Sequence, residues 1–592
     1  MSLLLATILA IQASPPPGPP PAPIHLNQIG FRPTDAKRAV IADAARKPLP
    51  FRVVDEAGAT VLSGTTQVGG KDAASGDHVH VATFTGVTRP GRYRLKVGPR
   101  ESLLFAIDAG IYAPLARDAL NFFYQQRAGV PIEARWAGAR WARAAGHTRE
   151  RAPCFSGKDQ VGTVWPGCPA VADVTGGWYD AGDHGKYVVN AGISVWTLQN
   201  LYESGFARRL FADGRARLPE AGNGVDDLLD EARWEVEWML RMQVADGTRL
   251  SLPVGRQDQS KPLTLTAVDA GGMAHHKVGD RRWTPLPTIP AEDPEPRLLY
   301  PPSTAATLNL AAVAAQAARL WRTIDPAFAE RCLRAARRGW AAAERNPAIH
   351  AAQGFTGSGG YGDETLDDER AWARAELFAT TGEKRFAPTA GDKAGNEPNW
   401  GDVASLGTMT LATAAGVPAD VRNAARARVV AAAGRFVAEG ARSGYRLPFA
   451  SLRYPWGSNA VVANRAMMLG MAARFSGDRR FRDAAVDAAD YLLGRNPLSQ
   501  SYVSGYGWRA MRNPHHRFWA HQADAKLPPP PPGVLSGGPN NTGMADPIAQ
   551  KLKGRCAPQR CWADDIGAYA LNEVAINWNA PLVWLAAYLD AG

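Results

Sequence analysis

A helical periodicity that begins after residue 110 and continues to residue 592 most constrains the fold of this chain. Apolar residues recur at three- and four-residue spacing in about a dozen segments, among them DDLLDEARWEVEWMLRMQ, STAATLNLAAVAAQAARLW and NEVAINWNAPLVWLAAYL. Strand patterns almost vanish there, and long loops rich in Gly, Pro and Trp separate the helices. An all-α domain of this size with long loops is most simply a toroid of paired helices.

The segment before this domain has a different pattern. Over residues 24–109, short alternating stretches such as RAVIAD, HVHVATF and GRYRLKV are broken by Gly, Pro and Asp turns. They predict a small β-sandwich of immunoglobulin type, followed by the helical domain at 110–592. Residues 1–13 are typical of a signal peptide, and residues 14–23 form a Pro-rich linker. We therefore expect a secreted or periplasmic protein.

The charge of the chain is spread out rather than gathered. The 67 basic and 56 acidic residues give a formal net charge of +11, and no dense Lys/Arg block occurs. This argues against nucleic acid as a partner and favours a basic, solvated surface. No later stretch approaches the roughly 18 uninterrupted apolar residues of a membrane span, so we expect a soluble monomer with no membrane partner.

The five cysteines suggest an oxidising destination if they form two local pairs and leave one residue single. The two pairs are Cys154 with Cys168 and Cys556 with Cys561. Cys332 lies in a helical pattern and is expected to be a buried thiol. For the first pair, the alternative is a zinc site completed by His184.

The segment GGWYDAGDHGKYVVN places Asp180 and Asp183 three residues apart. An isolated Asp-x-x-Asp is typical of a helix N-cap and a solvated neighbour. Here Trp178 and Tyr179 offer flat apolar faces on which sugar rings stack, and the glycines let a backbone approach a ligand closely. Two neighbouring carboxylates also push their pKa values apart, which suits a base that activates water.

Glycoside hydrolysis also needs an acid on the opposite face of the glycosidic oxygen. In WADDIGAYALNEVAINWNAPL the candidate is Glu573, with Asp564 and Tyr569 upstream. The alternative is an exposed first-turn glutamate that favours the helix dipole. A third segment, SYVSGYGWRAMRNPHHRFW, offers His515 and Arg517 as donors to sugar hydroxyls, although at least one of its two adjacent histidines could simply hold the loop together.

These three segments, in this order, resemble the signatures of glycoside hydrolase family nine, whose members include inverting cellulases. The resemblance covers nearly all of residues 110–592, and it implies a mainly α protein with an (α/α)6 barrel. The β domain, which opens with IHLNQIGFRP, resembles the N-terminal immunoglobulin-like module of the cellulase D-type members of that family.

The resemblance implies roles for individual residues. Asp183 takes the place of the general base, Asp180 helps to hold the attacking water, and Glu573 is the general acid. Because an inverting pair must leave room for water, we expect the Asp183 and Glu573 carboxyls to lie roughly 6.5–9.5 Å apart. Four further residues are implied in substrate binding: His515, Arg517, Asp564 and Tyr569.

Some members of the family bind calcium at a loop equivalent to GYGDETLDDERAW. Asp368, Glu369 and Asp402 could supply hard oxygen ligands, together with backbone carbonyls around Glu364 and Thr365. The alternative is an acidic first turn that stabilises a helix. The chemistry itself requires no cofactor.

The zinc alternative at the first cysteine pair departs from the family pattern. Pro169 follows Cys168, where zinc-binding relatives would be expected to offer another ligand. We therefore interpret Cys154 and Cys168 as a disulfide.

The function predicted from the sequence is inverting cleavage of β-1,4 glucosidic bonds in cellulose or related β-glucans, in the manner of an endoglucanase. Two alternatives remain. One is an exo-acting glucosidase or glucosaminidase on cello- or chito-oligosaccharides, and the other is a sugar-binding protein without catalysis. The presence of Asp180, Asp183 and Glu573 together favours the enzyme.

Overall fold

A computed structural model describes residues 23–169, 171–389 and 395–592. The predicted signal peptide and all but the last residue of the predicted linker lie outside these ranges. Nine strands form the N-terminal part: β1 (Ile24–His25), β2 (Arg38–Ala42), β3 (Pro50–Asp55), β4 (Thr60–Thr65), β5 (Gln67–Lys71), β6 (His78–Thr83), β7 (Gly91–Val97), β8 (Arg100–Glu101) and β9 (Phe105–Ile107).

The nine strands make two antiparallel sheets. One has the order β1-β2-β6-β5 and the other β4-β3-β7-β8, with β9 also paired to β7. Val53 lies opposite Leu95 across the second sheet, and both are fully buried. Phe31 packs edge-on against Phe84 and Phe105, at 5.3 and 5.5 Å between ring centroids. The predicted β-sandwich is confirmed.

Helices dominate the rest of the described chain. They are α1 (Ala113–Gln126), α2 (Ala134–Ala137), α3 (Val188–Ser204), α4 (Asp227–Arg241), α5 (Thr304–Trp321), α6 (Pro326–Arg345), α7 (Asp367–Thr381), α8 (Ala404–Thr413), α9 (Ala419–Arg442), α10 (Ser458–Ser476), α11 (Arg479–Leu492), α12 (Pro547–Leu552), α13 (Tyr569–Asn572) and α14 (Ile576–Ala591).

The helices form two rings with different burial patterns. In α14 every residue from Ile576 to Leu589 is buried, which requires neighbours on all sides. Helix α9 buries only one stripe, including Ala425, Val429 and Phe436, and exposes its opposite face. Contacts run from α3 through α5, α7, α8, α9 and α10 to α14, which returns to α3. This closure is the predicted barrel of paired helices.

Short strands occupy the loops between the helices. They are β10 (Arg151–Ala152), β11 (Ser156–Lys158), β12 (Val164–Pro166), β13 (Ala172–Asp173), β14 (Lys186–Tyr187), β15 (Arg249–Pro253), β16 (Leu265–Asp269), β17 (Ala274–His275), β18 (Lys277–Asp280), β19 (Arg297–Leu299) and β20 (Pro302–Ser303). Strand β14 directly follows the DAGD segment and pairs with β18, which pairs in turn with β19. The segment is therefore anchored to a small sheet at the mouth of the barrel.

Polar contacts join the sandwich to the barrel. The Asn27 side-chain amide donates to Asp490 at 2.8 Å, and the Arg38 guanidinium donates to both oxygens of Asp487 at 2.8 and 2.9 Å. Asn27 and Asp490 are fully buried. Such buried polar groups are costly unless they are paired, so the contacts fix how the two parts meet.

Both predicted cysteine pairs are disulfides. Cys154 and Cys168 are 5.4 Å apart between α-carbons, and Cys556 and Cys561 are 5.3 Å apart. Cys332 is a buried thiol, as predicted. Within the described ranges, no helix has the length and apolar character that crossing a membrane would require.

Candidate active site

A cleft of about 780 Å³ opens at the mouth of the barrel. Its walls bring together three carboxylates that lie far apart in the sequence: Asp180, Asp183 and Glu573. The DAGD segment supplies the first two, and the turn between α13 and α14 supplies the third. The structure therefore gathers all three predicted catalytic residues around one cavity.

Asp180 is completely buried at the base of the cleft. The Asn190 amide donates to one of its carboxylate oxygens, and the Tyr361 hydroxyl donates to the other, both at 2.8 Å. The pKa of Asp180 is raised to about 7, because burial and, to a smaller extent, the negative charge of Asp183 outweigh the two hydrogen bonds, which lower it. Asp180 therefore changes charge near neutral pH.

Asp183 is partly exposed to the cleft, and its carboxylate accepts a hydrogen bond from the Gly185 backbone N–H at 2.7 Å. Between the two aspartates, Gly182 lies against the next chain segment. A β-carbon at Gly182 would lie 2.2 Å from the carbonyl oxygen of His515, which no side chain tolerates. Glycine at this position lets the segment bearing His515 approach the two aspartates.

Glu573 caps the C-terminus of α13 and lies three residues before α14 begins. The neighbouring backbone is held on both sides, because Asn572 O accepts from His515 N at 2.9 Å and Glu573 O accepts from Gly537 N at 2.8 Å. Burial and then the charges of Asp183 and Asp180 raise the pKa of Glu573 well above its usual range. These surroundings favour the protonated form of Glu573 and differ from those of an exposed first-turn glutamate.

The predicted loop residues divide into two groups. His515 and Arg517 line the cleft, and Arg517 Nε and Nη2 donate to Thr284 at 2.5 and 3.1 Å. His516 instead stacks on Trp519, with ring centroids 4.0 Å apart, and its Nδ1 accepts the backbone N–H of Trp519. The expectation that one of the adjacent histidines holds the loop together is confirmed for His516.

The structure corrects three predicted substrate-binding residues. Trp178 is 1% exposed and donates its indole N–H to Glu231, and Tyr179 is 3% exposed and bonded to His147. Neither residue lines the cleft, so the prediction that they stack on sugar is wrong. Asp564 is also outside the cleft lining.

Asp564 has a positioning role instead. Its carboxylate accepts the backbone N–H groups of Arg512 and Asn513 at 3.0 and 2.8 Å and the Asn572 amide at 3.1 Å. It thereby ties the segment before His515 to the segment before Glu573. Tyr569, by contrast, does line the cleft, as predicted.

Several cleft residues were missed by the sequence reasoning. Tyr361 was missed although it lies in the segment singled out for calcium, because its contact with Asp180 spans 181 positions. Four tryptophans also line the cleft: Trp283, Trp400, Trp456 and Trp578. Trp283 and Trp456 are 51% and 40% exposed, which is unusual for so large an apolar side chain. These indoles, unlike Trp178 and Tyr179, lie in the walls of the cleft.

A second acidic cluster lies at the start of α7. Oxygen atoms of Asp363, Asp368 and Glu369 lie within 4.8 Å of one another. Four buried oxygens here have no hydrogen-bond partner among the residues that the structure describes: Asp363 Oδ2, Asp368 Oδ1 and both carboxylate oxygens of Glu369. Unsatisfied carboxylate oxygens in this number fit a hard cation such as Ca²⁺. The predicted ligand Asp402 lies outside the cluster and accepts from Ala404 N, whereas Asp363 was not predicted.

Comparisons with known proteins agree with this geometry. The family model of Glycosyl hydrolase family 9 matches residues 112–586, and that of the cellulase N-terminal ig-like domain matches residues 20–102. A solved structure, "Bacteroides ovatus GH9", superposes with a TM-score of 0.79 at 30% identity, covering 96% of this chain and 99% of that one.

Two curated proteins are similar over almost the whole chain. A cellulose 1,4-beta-cellobiosidase of Acetivibrio thermocellus is 40% identical over 96% of the chain, and endoglucanase C of Cellulomonas fimi is 42% identical over 98%. The chain spans 67% of the length of the first and 53% of the second. The match of the family model over most of the chain, together with the barrel and the three carboxylates in one cleft, shows that the chain belongs to glycosyl hydrolase family 9 and carries the cellulase-type immunoglobulin-like domain at its N-terminus.

Proposed function

We propose that this chain is an inverting β-1,4-glucanase in which Glu573 is the general acid, Asp183 the general base and Asp180 the residue that orients the attacking water. The observation that carries the proposal is the position of Glu573 beside two aspartates in one aromatic cleft, where its pKa is raised well above the usual range. A carboxylic acid that stays neutral at working pH can donate a proton to a leaving oxygen.

The proposed reaction uses the carboxylates in one concerted step. Asp183 removes a proton from a water molecule, whose oxygen bonds to the anomeric carbon. At the same time the glycosidic C–O bond breaks, and Glu573 gives its proton to the departing oxygen. Asp180 accepts a hydrogen bond from the second O–H of the water, and that hydrogen stays in the hydroxyl group of the product. His515 and Arg517 border the same cavity and are positioned to donate to sugar hydroxyls.

The proposed substrate is cellulose or a related β-glucan. Four tryptophans on different elements suit a chain of several stacked sugar rings, which favours internal cleavage. The names of the relatives support the bond type, since one is a cellobiosidase acting on β-1,4 bonds of cellulose and another is an endoglucanase. Exo-action on cello- or chito-oligosaccharides is the second candidate, favoured only by the first of these relatives.

One experiment tests both bond cleavage and stereochemistry. Cellohexaose is incubated with the protein, the products are sized, and the anomeric protons are followed by NMR before mutarotation. Inversion predicts that the α-anomer forms first. Initial β-anomer would refute the inverting mechanism, no release from cellohexaose or carboxymethyl cellulose would favour a binding protein, and release of single end units alone would favour the exo-enzyme.

The proposal also covers the roles of the two domains, the export of the protein and a bound Ca²⁺ ion. Residues 24–109 act as the supporting sandwich and residues 110–592 as the catalytic domain, in a monomer that is exported by its N-terminal segment. Ca²⁺ would be held by Asp363, Asp368 and Glu369, where it would fix the loop that carries Tyr361. Its contribution is structural, because this cluster has no residue in common with the cleft lining.

A further inference from the structure

A second cavity, of about 440 Å³, lies along one face of α4 and shares no lining residue with the cleft. We call it the α4 groove. Trp234 and Trp238 line it, together with Gly176 and Gly177, which directly precede the segment bearing the catalytic aspartates. The mechanism above uses none of these residues.

Two buried polar atoms of residues that line the groove have no hydrogen-bond partner in the described part of the chain. Asp230 is 6% exposed, and its Oδ2 is unpaired although its Oδ1 accepts from the Asn223 amide at 3.0 Å. Trp238 is 1% exposed, and its indole N–H is unpaired. The first atom lacks a donor and the second lacks an acceptor. Asp230 and Trp238 are eight positions apart on α4, about 12 Å along the helix axis, so two ligand groups are needed. The several hydroxyl groups of one molecule can supply a donor to the carboxylate and an acceptor to the indole, whereas a cation satisfies only the carboxylate and an anion only the indole.

The charges around the groove also point to a neutral ligand. Three carboxylates and two guanidinium groups line it: Glu220, Asp230, Glu237, Arg233 and Arg241. Most are paired already, since Glu220 binds Arg127 at 2.8 Å and Glu237 binds Arg331. Little net charge remains to attract an ion.

Trp234 adds an aromatic surface of fixed orientation. It is only partly buried, and its indole N–H donates to the carbonyl oxygen of Gly177 at 3.1 Å. An immobilised indole beside hydroxyl-binding groups and backbone glycines is the composition of a saccharide site. We propose that the α4 groove is a second, non-catalytic saccharide-binding site that holds a part of the glucan chain away from the cleft. The choice of a glucan as its ligand rests on the proposed function.

The α4 groove packs directly against the backbone that precedes the catalytic aspartates. A β-carbon at Gly177 would lie 2.6 Å from Cγ of Trp238, so the indole packs directly on this backbone. The next residue, Trp178, donates its backbone N–H to Glu235 of α4 at 2.6 Å. A saccharide bound on Trp234 would therefore contact the same stretch of chain that leads to Asp180.

The test uses the full chain with Glu573→Gln, which slows turnover enough for a titration, and with 5-fluorotryptophan in place of tryptophan. Fluorine NMR is recorded while cellohexaose is added, and Trp234→Phe and Trp400→Phe assign one groove signal and one cleft signal. We expect both signals to shift with saturation. The Trp234 shift should persist when Trp400→Ala weakens the cleft. Asp230→Leu preserves the side-chain volume but removes the acceptor. It should weaken the binding of cellohexaose to the α4 groove about tenfold or more and leave the Trp400 titration unchanged.

Three results would overturn the proposal. In the first, the Trp234 signal stays fixed while the Trp400 signal saturates. In the second, the Trp234 signal shifts with the same titration midpoint as the Trp400 signal and no longer shifts in Trp400→Ala, which shows that binding in the cleft is transmitted to the groove. In the third, CaCl₂ alone moves it and cellohexaose does not, which marks a cation site. Each leaves hydrolysis by the unaltered chain intact, whereas failure of the proposed function would abolish hydrolysis itself.

Discussion

Removing the hydroxyl of Tyr361 should shift the acidic limb of the pH–rate profile to higher pH. This hydroxyl donates to Asp180 at 2.8 Å and lowers the pKa of that carboxyl, which is nevertheless about 7 because of burial. A hydrogen bond to a charged group is worth about 1.5–3 kcal/mol, and one pKa unit corresponds to about 1.4 kcal/mol. Tyr361→Phe should therefore raise the pKa of Asp180 by about one to two units.

The direction of the effect on rate follows from the role of Asp180. If the ionised carboxylate orients the water, activity requires a pH above its pKa. Loss of the hydrogen bond should then lower kcat/KM at pH 6 by roughly 10- to 100-fold, with a progressively smaller loss as the pH rises. The measurement is kcat/KM on a soluble cello-oligosaccharide at half-unit intervals between pH 4.5 and 9.

A matched control comes from another tyrosine that donates to an aspartate. The Tyr506 hydroxyl donates to Asp118 at 2.7 Å, outside the cleft lining. Tyr506→Phe should lower stability by a similar amount without moving the acidic limb. If Tyr361→Phe lowers the rate equally at every pH, or leaves the limb in place, then the ionisation of Asp180 does not control the reaction.

Three further outcomes are expected. Glu573→Gln should lose most activity on cello-oligosaccharides, by about 10²- to 10⁴-fold, yet keep much of its rate on a 2,4-dinitrophenyl glycoside, because that leaving group needs little protonation. Asp183→Asn should be slow on both substrates, and equal rates of the two variants on the activated glycoside would contradict the roles of acid and base. Replacing Cys154 and Cys168 by serine should lower the free energy of unfolding by about 3 kcal/mol in denaturant titrations, because the disulfide closes a loop of 15 residues from Cys154 to Cys168; an unchanged midpoint would contradict this. Asp363→Asn should abolish a Ca²⁺-dependent rise in melting temperature that the unaltered chain shows after chelator treatment; an equal rise in both would place the ion elsewhere.

The catalytic residues could be predicted because each lies within a contiguous signature. Asp180 and Asp183 are three residues apart, and Glu573 opens a long apolar run, so local sequence identified them. The hydrogen bonds that hold these catalytic side chains in place could not be predicted in the same way. The contact between Tyr361 and Asp180 depends on how α7 and the DAGD segment meet, and only the closed barrel determines that.

The error at Trp178 has a related cause. Closeness to Asp180 in sequence does not by itself place an indole in the cleft, because contacts with the rest of the fold decide which way the side chain turns. Glu231 and Glu235 of α4 lie behind the segment and bind the indole N–H and the backbone N–H of Trp178. Polar partners on a distant helix thus decided its orientation, and no local pattern reveals them. The same reasoning applies to Asp402, whose place in the acidic cluster is taken by Asp363.

Two neighbouring aspartates, of which one is buried, need a rigid support, since their mutual repulsion would otherwise move the segment that carries them. That support is a cluster of charged side chains behind strand β14. Lys186, fully buried, binds Glu150 and also donates to the carbonyl oxygens of Val174 and Gly176 at 2.8 and 2.6 Å. Arg297 binds the other oxygen of Glu150 at 2.6 Å and the carbonyl oxygen of His184 at 2.8 Å.

These cations hold the backbone on both sides of Asp180 and Asp183 without pairing with either carboxylate. A cation bound directly to Asp180 would lower its pKa and take the place that water needs. The chain instead places its positive charges one layer back, where they compensate Glu150 and Asp280, and it gives Asp180 only the neutral donors Asn190 and Tyr361. Charged side chains one layer back thus fix the segment, while in the described part of the chain no cation pairs directly with Asp180 or Asp183, which is the arrangement that a water-activating site requires.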